Sequence, residues 1–178
     1  MATVVLVTDM LRGFLEPEHG GETHALYCGD DARAIIPNVQ RLLAEEHARG
    51  SQIIYVADTH EADDKEFEVF PPHCIRGSAE SEVIAELRDV PGELLPKQRY
   101  SAFFNTPLEQ RLAELRPEKL IVCGVCTDIC VLHTTADARN RDYAVEVPAD
   151  CVASFDAEAH RWALRHMERV LGAQVVGT

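Results

Sequence analysis

The segment Leu120–Val131, with the sequence LIVCGVCTDICV, decides the predicted fold of this chain. A short apolar run ends at Gly124, and a polar turn then leads into residues that have the apolar spacing of a helix. An apolar run of this length, bounded by a turn, is typical of a strand buried in a sheet. We therefore expect a buried strand followed by a helix, with Cys130 in the first turn of that helix.

The thiol of Cys130 is a candidate nucleophile in this position. Unpaired N–H groups and the positive end of the helix dipole lower the pKa of a thiol there, which favours the reactive thiolate. The alternative is a structural role, because free cysteines are often small apolar residues of the core. Asp9 and Lys97 favour the catalytic interpretation, since each of them also follows an apolar, strand-like run.

Apolar strands alternate with amphipathic helices along the rest of the chain. The predicted strands are Thr3–Val7, Gln52–Ala57, Glu93–Leu95, Lys119–Cys123, Tyr143–Val147 and Ala173–Val176. The predicted helices are a first one from Ile35 that stops before Gly50, then Ser81–Leu87, Thr106–Leu115, Asp128–Arg139 and Asp156–Val170. The third helix begins with a capping box, Thr106-Pro107-Leu108-Glu109, that has proline in its first helical position. Such repeated βα units predict a mostly parallel sheet with helices on both faces.

The predicted sheet brings the three reactive residues together. In an open parallel sheet the carboxyl ends of the strands share one edge, and ligands bind at that edge. Asp9, Lys97 and Cys130 each follow a predicted strand. We therefore expect a carboxylate, an ammonium group and a thiol to converge on one site.

A second group of polar residues follows the strand Gln52–Ala57. Residues two apart in an extended chain point to the same side, so Asp58 and His60 can face one ion, and His73 can complete a triad. Two histidines and one carboxylate leave coordination positions open for water or substrate, which suits Zn²⁺, Fe²⁺ or Mn²⁺. The alternative is a pair of unrelated loop histidines. Glu66 is either a further ligand or a solvated charge.

The composition is that of one globular domain covering residues 1–178, with 46% apolar residues and a net charge of −13. Such a charge repels phosphate backbones and anionic membranes, so we expect neither nucleic acid nor a membrane as a partner. No apolar stretch approaches the ~20 residues that span a bilayer, and the first residues lack the basic region of a signal peptide. We expect a cytoplasmic protein.

The six cysteines are expected to be free thiols in a reducing compartment. Cys28, Cys74 and Cys151 are interpreted as structural or incidental. The spacing Cys123-x-x-Cys126 suggests a zinc or redox site, but no second pair of this kind is present to complete a tetrahedral zinc site. We therefore favour a strand position for Cys123.

Four segments of the chain together match a known family. They are VTDMLRGF around Asp9, the sequence DTH at 58–60 with FPPHC at 70–74, KQRYSAFFNT from Lys97, and GVCTDICVLHTTADA around Cys130. With them the chain resembles the isochorismatase-like cysteine hydrolases over nearly its whole length. The second segment makes it similar to the metal-containing nicotinamidases. The resemblance implies a three-layer α/β/α sandwich with a six-stranded, mostly parallel, Rossmann-like sheet.

The resemblance also implies catalytic roles. Cys130 corresponds to the nucleophile, Asp9 to the acid and base, and Lys97 to the cation that holds this pair and stabilises charge. The peptide bond before Cys126 corresponds to a cis peptide in the family. That bond directs the backbone N–H groups of Cys126 and Cys130 into an oxyanion hole.

A metal and a substrate pocket follow from the same resemblance. The implied ligands of one divalent ion per subunit are Asp58, His60 and His73, with Glu66 as an additional carboxylate. Zinc is expected before iron or manganese. The residues expected around the substrate are Phe14, Leu11, Phe70 and Tyr100. Leu11 and Cys126 differ from the residues common at their positions in the family, so the fine substrate preference stays open.

The implied activity is the hydrolysis of nicotinamide to nicotinate and ammonia through a cysteine thioester, a reaction of NAD salvage. Members of the family are commonly oligomeric, so we expect a homo-oligomer that binds a small amide. Two alternatives stay open. Related cysteine amidohydrolases act on carbamoyl or ureido amides, generally without the metal triad, and a catalytically silent binding module can share the fold.

Overall fold

A central parallel β-sheet organises the structure, a computed structural model that describes residues 2–177. In chain order the strands are β1 (Thr3–Thr8), β2 (Glu18–His19), β3 (Glu22–Thr23), β4 (Gln52–Asp58), β5 (Glu93–Lys97), β6 (Lys119–Val125), β7 (Val145–Pro148), β8 (Val152–Ala153) and β9 (Gln174–Val176). The order across the sheet is β5-β4-β1-β6-β7-β9, and the short strand β8 pairs with β6. The pairs within this sheet are parallel. Strands β2 and β3 form a separate antiparallel hairpin.

Helices cover both faces of the sheet. In chain order they are α1 (Arg12–Leu15), α2 (Asp30–Ala34), α3 (Ile36–Ala48), α4 (Leu108–Leu115), α5 (Leu132–Asn140) and α6 (Ala157–Arg169). Side chains alternate between the faces of a strand, so β1 contributes to two cores. Val5 and Val7 pack with residues of α1, α2 and α3, whereas Val4 and Leu6 pack with residues of α4, α5 and α6. The predicted three-layer α/β/α architecture with a mostly parallel sheet is therefore confirmed. The sheet has seven strands rather than the six expected, because the short strand β8 also pairs with β6.

The strand order reverses at the centre of the sheet. After β1 the chain moves outward through β4 to β5, and it then returns to place β6 on the other side of β1. In open α/β sheets such a reversal opens a crevice at the carboxyl ends of the two central strands. Asp9 follows β1 at this point, and the turn that holds Cys130 follows β6.

The predicted helix Ser81–Leu87 is wrong. The segment instead contains two short 3₁₀ turns, Ala79–Ser81 and Ala85–Leu87. Between these turns the backbone pairs with the chain around α1. The N–H of Arg12 donates to the carbonyl of Glu82 at 2.9 Å, and the N–H of Ile84 donates to the carbonyl of Met10 at 3.1 Å. These long-range bonds occupy groups that a continuous helix would use.

Two predicted helix starts also need correction. The predicted helix Asp128–Arg139 is divided into a π-helical turn, Thr127–Val131, and helix α5. The predicted capping box is only partly formed, because α4 begins after Pro107 rather than with it. The hydroxyl oxygen of Thr106 accepts the N–H of Leu108 at 3.3 Å, but Glu109 pairs with Arg141 at 3.1 Å instead of reaching back to the cap.

Among residues 2–177, no helix has the length and apolar character needed to cross a membrane.

Candidate active site

A glycine allows the catalytic turn to reach the end of the neighbouring strand. Gly124 lies at the end of β6 with a φ of +111°, and a Cβ atom placed on it would lie 2.0 Å from the carbonyl oxygen of Thr8. Only a residue without a side chain permits this approach. The close contact between β6 and β1 brings the turn after β6 beside Asp9, the residue after Thr8. The peptide bond between Val125 and Cys126 is cis, as the resemblance implied.

The three predicted catalytic residues converge at this edge. The Nζ atom of Lys97 lies 3.5 Å from Sγ of Cys130 and 2.9 Å from Oδ2 of Asp9. The other carboxylate oxygen of Asp9 accepts the backbone N–H of Asp58 at 2.9 Å. Asp9 itself has a left-handed backbone, with a φ of 51°. The fold thus places a thiol, a carboxylate and an ammonium group in one contact set.

Burial determines the protonation of this group. The pKa of the Cys130 thiol is raised well above its usual range by desolvation, although the Lys97 ammonium lowers it. Desolvation therefore opposes the lowering of this pKa that is expected from the helix terminus, because the thiol is almost completely removed from water. Desolvation and the charge of Asp58 raise the pKa of Asp9 to about 6. A base with a pKa in this range is suited to accept a thiol proton near neutral pH.

The second predicted group also comes together. Asp58, His60, Glu66 and His73 each offer a ligand atom, and these atoms lie within 4.8 Å of one another. The Nε2 atoms of His60 and His73 lie 3.7 and 3.8 Å from Oδ2 of Asp58. They lie 3.9 and 3.7 Å from Oε1 of Glu66. These separations are too long for hydrogen bonds and leave room for an ion between the four side chains.

Both histidines are oriented by their other ring nitrogen. Nδ1 of His73 lies 2.8 Å from the carbonyl oxygen of Pro71, an acceptor that requires a hydrogen on this nitrogen. Nδ1 of His60 lies 3.1 Å from Oδ2 of Asp64, which Arg99 holds at 2.8 Å through its other oxygen. Bonds of this kind fix the tautomer of a metal-binding histidine and leave Nε2 as the ligand atom.

The four residues fit a divalent cation. Nε2 of His60 and Oε2 of Glu66 are buried and have no hydrogen-bond partner among the described residues. Desolvation and the nearby carboxylate of Asp58 raise the pKa of Glu66 to about 7. Two buried carboxylates and two imidazole nitrogens that face one another need a cation between them. The donor set of nitrogen and oxygen atoms suits zinc, iron or manganese.

Asp58 connects the two groups. Its Oδ2 faces the histidines, while its Oδ1 is hydrogen-bonded to the ammonium of Lys97. Burial alone would lower the pKa of Lys97, but the carboxylates of Asp58 and Asp9 raise it well above the usual range. Lys97 is therefore charged, and it links the candidate metal ligands to the candidate catalytic residues.

The two groups meet at one pocket, which is lined by Asp9, Cys130, Asp58, Glu66 and His73. Phe14, Phe70 and Tyr100 line it, as expected for the substrate walls. Leu11 does not, and this expectation is wrong. Its side chain is fully buried in the core, and its backbone forms an isolated bridge with Val83 that turns it away from the pocket.

Sequence reasoning missed several residues of the site. Asp64, which orients His60, stands among other acidic residues in the sequence and has no pattern that distinguishes it. The remaining pocket-lining residues that were not expected are Leu26, Cys28, Val125, Ile129 and Phe155. They come from three separate segments: Leu26 and Cys28 precede α2, Val125 and Ile129 belong to β6 and the turn after it, and Phe155 precedes α6. Only the tertiary structure could bring these segments together.

The chain is similar to known proteins over most of its length. The family model for the isochorismatase domain matches residues 3–178. A relative from Bacillus subtilis, named as an uncharacterized isochorismatase family protein, PncA, is 39% identical over 168 residues, which cover 84% of this chain and 88% of the relative.

Two solved structures are similar to this chain. The crystal structure of nicotinamidase PncA from Bacillus subtilis has a TM-score of 0.91 at 34% identity and covers 99% of this chain and 100% of its own. The pyrazinamidase of Pyrococcus horikoshii in complex with zinc has a TM-score of 0.87 at 26% identity, with 100% of both chains covered. The chain therefore belongs to the isochorismatase family of hydrolases.

Proposed function

We propose that the protein is a metal-containing nicotinamidase, which hydrolyses nicotinamide to nicotinate and ammonia. The observation that carries the proposal is the position of Cys130, Asp9 and Lys97 beside the four-residue metal-binding group in a single pocket. The likeness to a nicotinamidase and to a zinc-containing pyrazinamidase supports it.

Acylation begins with a proton transfer. Asp9 accepts the thiol proton of Cys130, and the sulfur attacks the carbonyl carbon of the amide. The backbone N–H groups of Cys126 and Cys130 stabilise the oxyanion that forms. A donor of this kind is typically worth roughly 3–4 kcal/mol. Asp9 then gives its proton to the amine, the C–N bond breaks, and ammonia leaves a thioester on Cys130.

Deacylation uses the same carboxylate. Asp9 removes a proton from water, which attacks the thioester, and the C–S bond breaks to release the carboxylic acid. The sulfur regains the proton that Asp9 had accepted. Lys97 compensates the negative charge of Asp9 and of the thiolate, because its ammonium group lies within 3.5 Å of both.

The pocket walls suit a flat aromatic amide. Phe14, Phe70 and Tyr100 offer ring faces and edges to such a substrate. Asp58, His60, Glu66 and His73 would hold the divalent ion. When bound, this ion supplies a Lewis acid for a ring nitrogen, either directly or through water.

An ammonia-release assay across four amides tests the proposal. We expect release from nicotinamide and pyrazinamide, but not from ureidoacrylate or an N-carbamoyl amino acid. Metal analysis of the purified protein should find a divalent ion at the level of one per chain. The Cys130→Ala variant serves as the control for contaminating amidases.

Other outcomes would replace the proposal. Release of ammonia only from the ureido or carbamoyl substrates would identify a related cysteine amidohydrolase. Binding of nicotinamide without release from any of the four compounds would identify a catalytically silent module.

A further inference from the structure

Two thiols of the pocket wall lie in contact outside the catalytic group. The Sγ atoms of Cys28 and Cys126 are 3.5 Å apart, although the residues are 98 positions apart in the sequence. Both residues are buried among protein atoms, and both line the pocket. The contact with Cys28, together with desolvation, raises the pKa of Cys126 well above its usual range. Neither side chain has a role in the proposed hydrolysis.

The other cysteines outside the catalytic group contact oxygen atoms and no second sulfur among the described residues, whereas Cys28 contacts both Cys126 and the carbonyl of Leu26, the latter at 3.5 Å. The thiol of Cys123 faces the carbonyl of Leu6 at 3.8 Å, and that of Cys74 faces the carbonyl of Glu80 at 3.5 Å. Cys151 contacts the carboxylate of the neighbouring Asp150 at 3.5 Å. Within the part of the chain that the structure describes, Cys28 and Cys126 are thus the two cysteines whose sulfur atoms are in contact.

We propose that Cys28 and Cys126 form an oxidation site, at which hydroperoxides convert the two thiols to a disulfide and thereby inactivate the pocket reversibly. A disulfide requires a sulfur–sulfur distance of about 2.0 Å, so the two sulfurs must approach by about 1.5 Å. Rotation of two short side chains that already touch can provide much of this movement. The pocket that both residues line gives a small peroxide its route to the thiols.

The oxidation is balanced with hydrogen peroxide as the oxidant. One sulfur attacks an oxygen of the peroxide, the O–O bond breaks, and the products are a sulfenic acid and hydroxide, which takes the proton of that thiol to become water. The second sulfur attacks the sulfenic sulfur, the S–S bond forms, and the hydroxyl group leaves with the second thiol proton as another water. Two thiols are oxidised, and one peroxide is reduced to two waters.

The disulfide affects the catalytic turn through Cys126. This residue immediately precedes the π-helical turn that carries Cys130, and its backbone N–H is one of the two donors assigned to the oxyanion hole. A bond from its side chain to Cys28 moves this donor and narrows the pocket. The loss of turnover rests on the proposed function, whereas formation of the disulfide does not.

Peptide mapping after peroxide treatment tests the site directly. The fully reduced wild-type protein is exposed to hydrogen peroxide, its remaining thiols are alkylated, and its peptides are analysed by mass spectrometry. We expect a cross-linked peptide that joins Cys28 to Cys126 and has lost the mass of two hydrogen atoms. The cross-link should also form in the Cys130→Ala and Cys151→Ala variants, and dithiothreitol should remove it.

The Cys28→Ser variant is the matched comparison. It should give no cross-linked peptide, and its circular dichroism spectrum shows whether it is folded. Each protein is compared with its own reduced form in the ammonia-release assay. Oxidised wild type should lose roughly 100-fold in activity, the typical effect of losing one oxyanion-hole donor, and should regain it with dithiothreitol.

Two results would overturn the inference. The first is alkylation of both Cys28 and Cys126 after peroxide has inactivated the wild-type protein through oxidation of Cys130. The second is a cross-link that joins other cysteines. If the protein shows no amidase activity on any substrate, the mapping result still decides whether the disulfide forms, so failure of this inference and failure of the proposed function are distinguishable.

Discussion

The two ends of the parallel sheet differ in how deeply their charged side chains are buried. At the carboxyl end, the side chains of Lys97 and Asp9 form a pair at 2.9 Å and are 0% and 1% exposed. At the amino end, Lys119 and Glu146 form a pair of almost the same length, 2.8 Å, but are 37% and 19% exposed. Buried ions are costly unless they are paired, whereas exposed pairs contribute little. The carboxyl end therefore carries charges that stability alone would not favour, and such groups mark a functional site.

The removal of the nucleophile should have the largest effect on activity. Cys130→Ala is expected to lower kcat for ammonia release by roughly 10⁴-fold or more, because no other group forms the thioester. Binding of nicotinamide, measured by calorimetry, should be retained. Cys151→Ala, which changes a cysteine outside the pocket, is the control and should keep its turnover. Undiminished turnover in Cys130→Ala would refute the assignment of the nucleophile.

Substitution of Asp58, which contacts both the candidate metal ligands and Lys97, should have the next largest effect. Asp58→Asn removes a charge from the metal-binding group and one of the two carboxylates that neutralise buried Lys97. Breaking a buried ion pair typically costs about 3–5 kcal/mol. We expect lost metal by elemental analysis, lower kcat and a lower free energy of unfolding.

Chelation of the wild-type protein separates these effects, because it should remove the metal and weaken nicotinamide binding while Lys97 keeps both partners. If Asp58→Asn retains stoichiometric metal, the ligand assignment is wrong.

The close approach of β6 to β1 can be tested by a stability measurement. Gly124→Ala should lower the free energy of unfolding by about 3 kcal/mol or more, since the new Cβ would meet the backbone of Thr8 at a positive φ. Gly50→Ala is the matched control, with a φ of +85° and no atom within 4 Å of the added Cβ. It should cost about 1 kcal/mol. Equal costs in urea unfolding would contradict the role of this contact.

Removal of the carboxylate that orients His60 should have a smaller effect, and this effect should be on metal affinity. Asp64→Asn weakens the acceptor that holds Nδ1 of His60, and the loss of such a partner typically lowers metal affinity about 10–100-fold. Competition with a metal indicator would measure this change. Asp63→Asn alters the neighbouring acidic residue and should leave the affinity as it is. A similar loss in both variants would assign the effect to net charge.

Substitution of a charged residue at the amino end of the sheet should have the smallest effect. Lys119→Met removes the exposed partner of Glu146, and we expect a change of less than about 1 kcal/mol in the free energy of unfolding. Ammonia release should be unaffected, because this pair lies at the opposite end of the strands. A larger change in the free energy of unfolding would mean that burial does not explain the difference between the two ends of the sheet.

The sequence alone determined six of the strands, the parallel sheet and the residues that meet at its carboxyl edge, but not the two-residue strands β2, β3 and β8. Apolar runs and the polar residues that follow them are local patterns, and parallel strands place their ends together by geometry. The resemblance then implied roles for Asp9, Lys97 and Cys130, and it placed Glu66 with the candidate metal ligands, where the structure also places it.

Only the tertiary structure decided what depends on contacts between distant segments. Backbone pairing with the chain around α1 prevents the helix predicted at Ser81–Leu87 and turns Leu11 into the core. Packing also raises the pKa of Cys130, which its place near a helix start alone would lower. The link through Asp58 and the contact of Cys28 with Cys126 arise in the same way, because no local pattern encodes how far one loop lies from another.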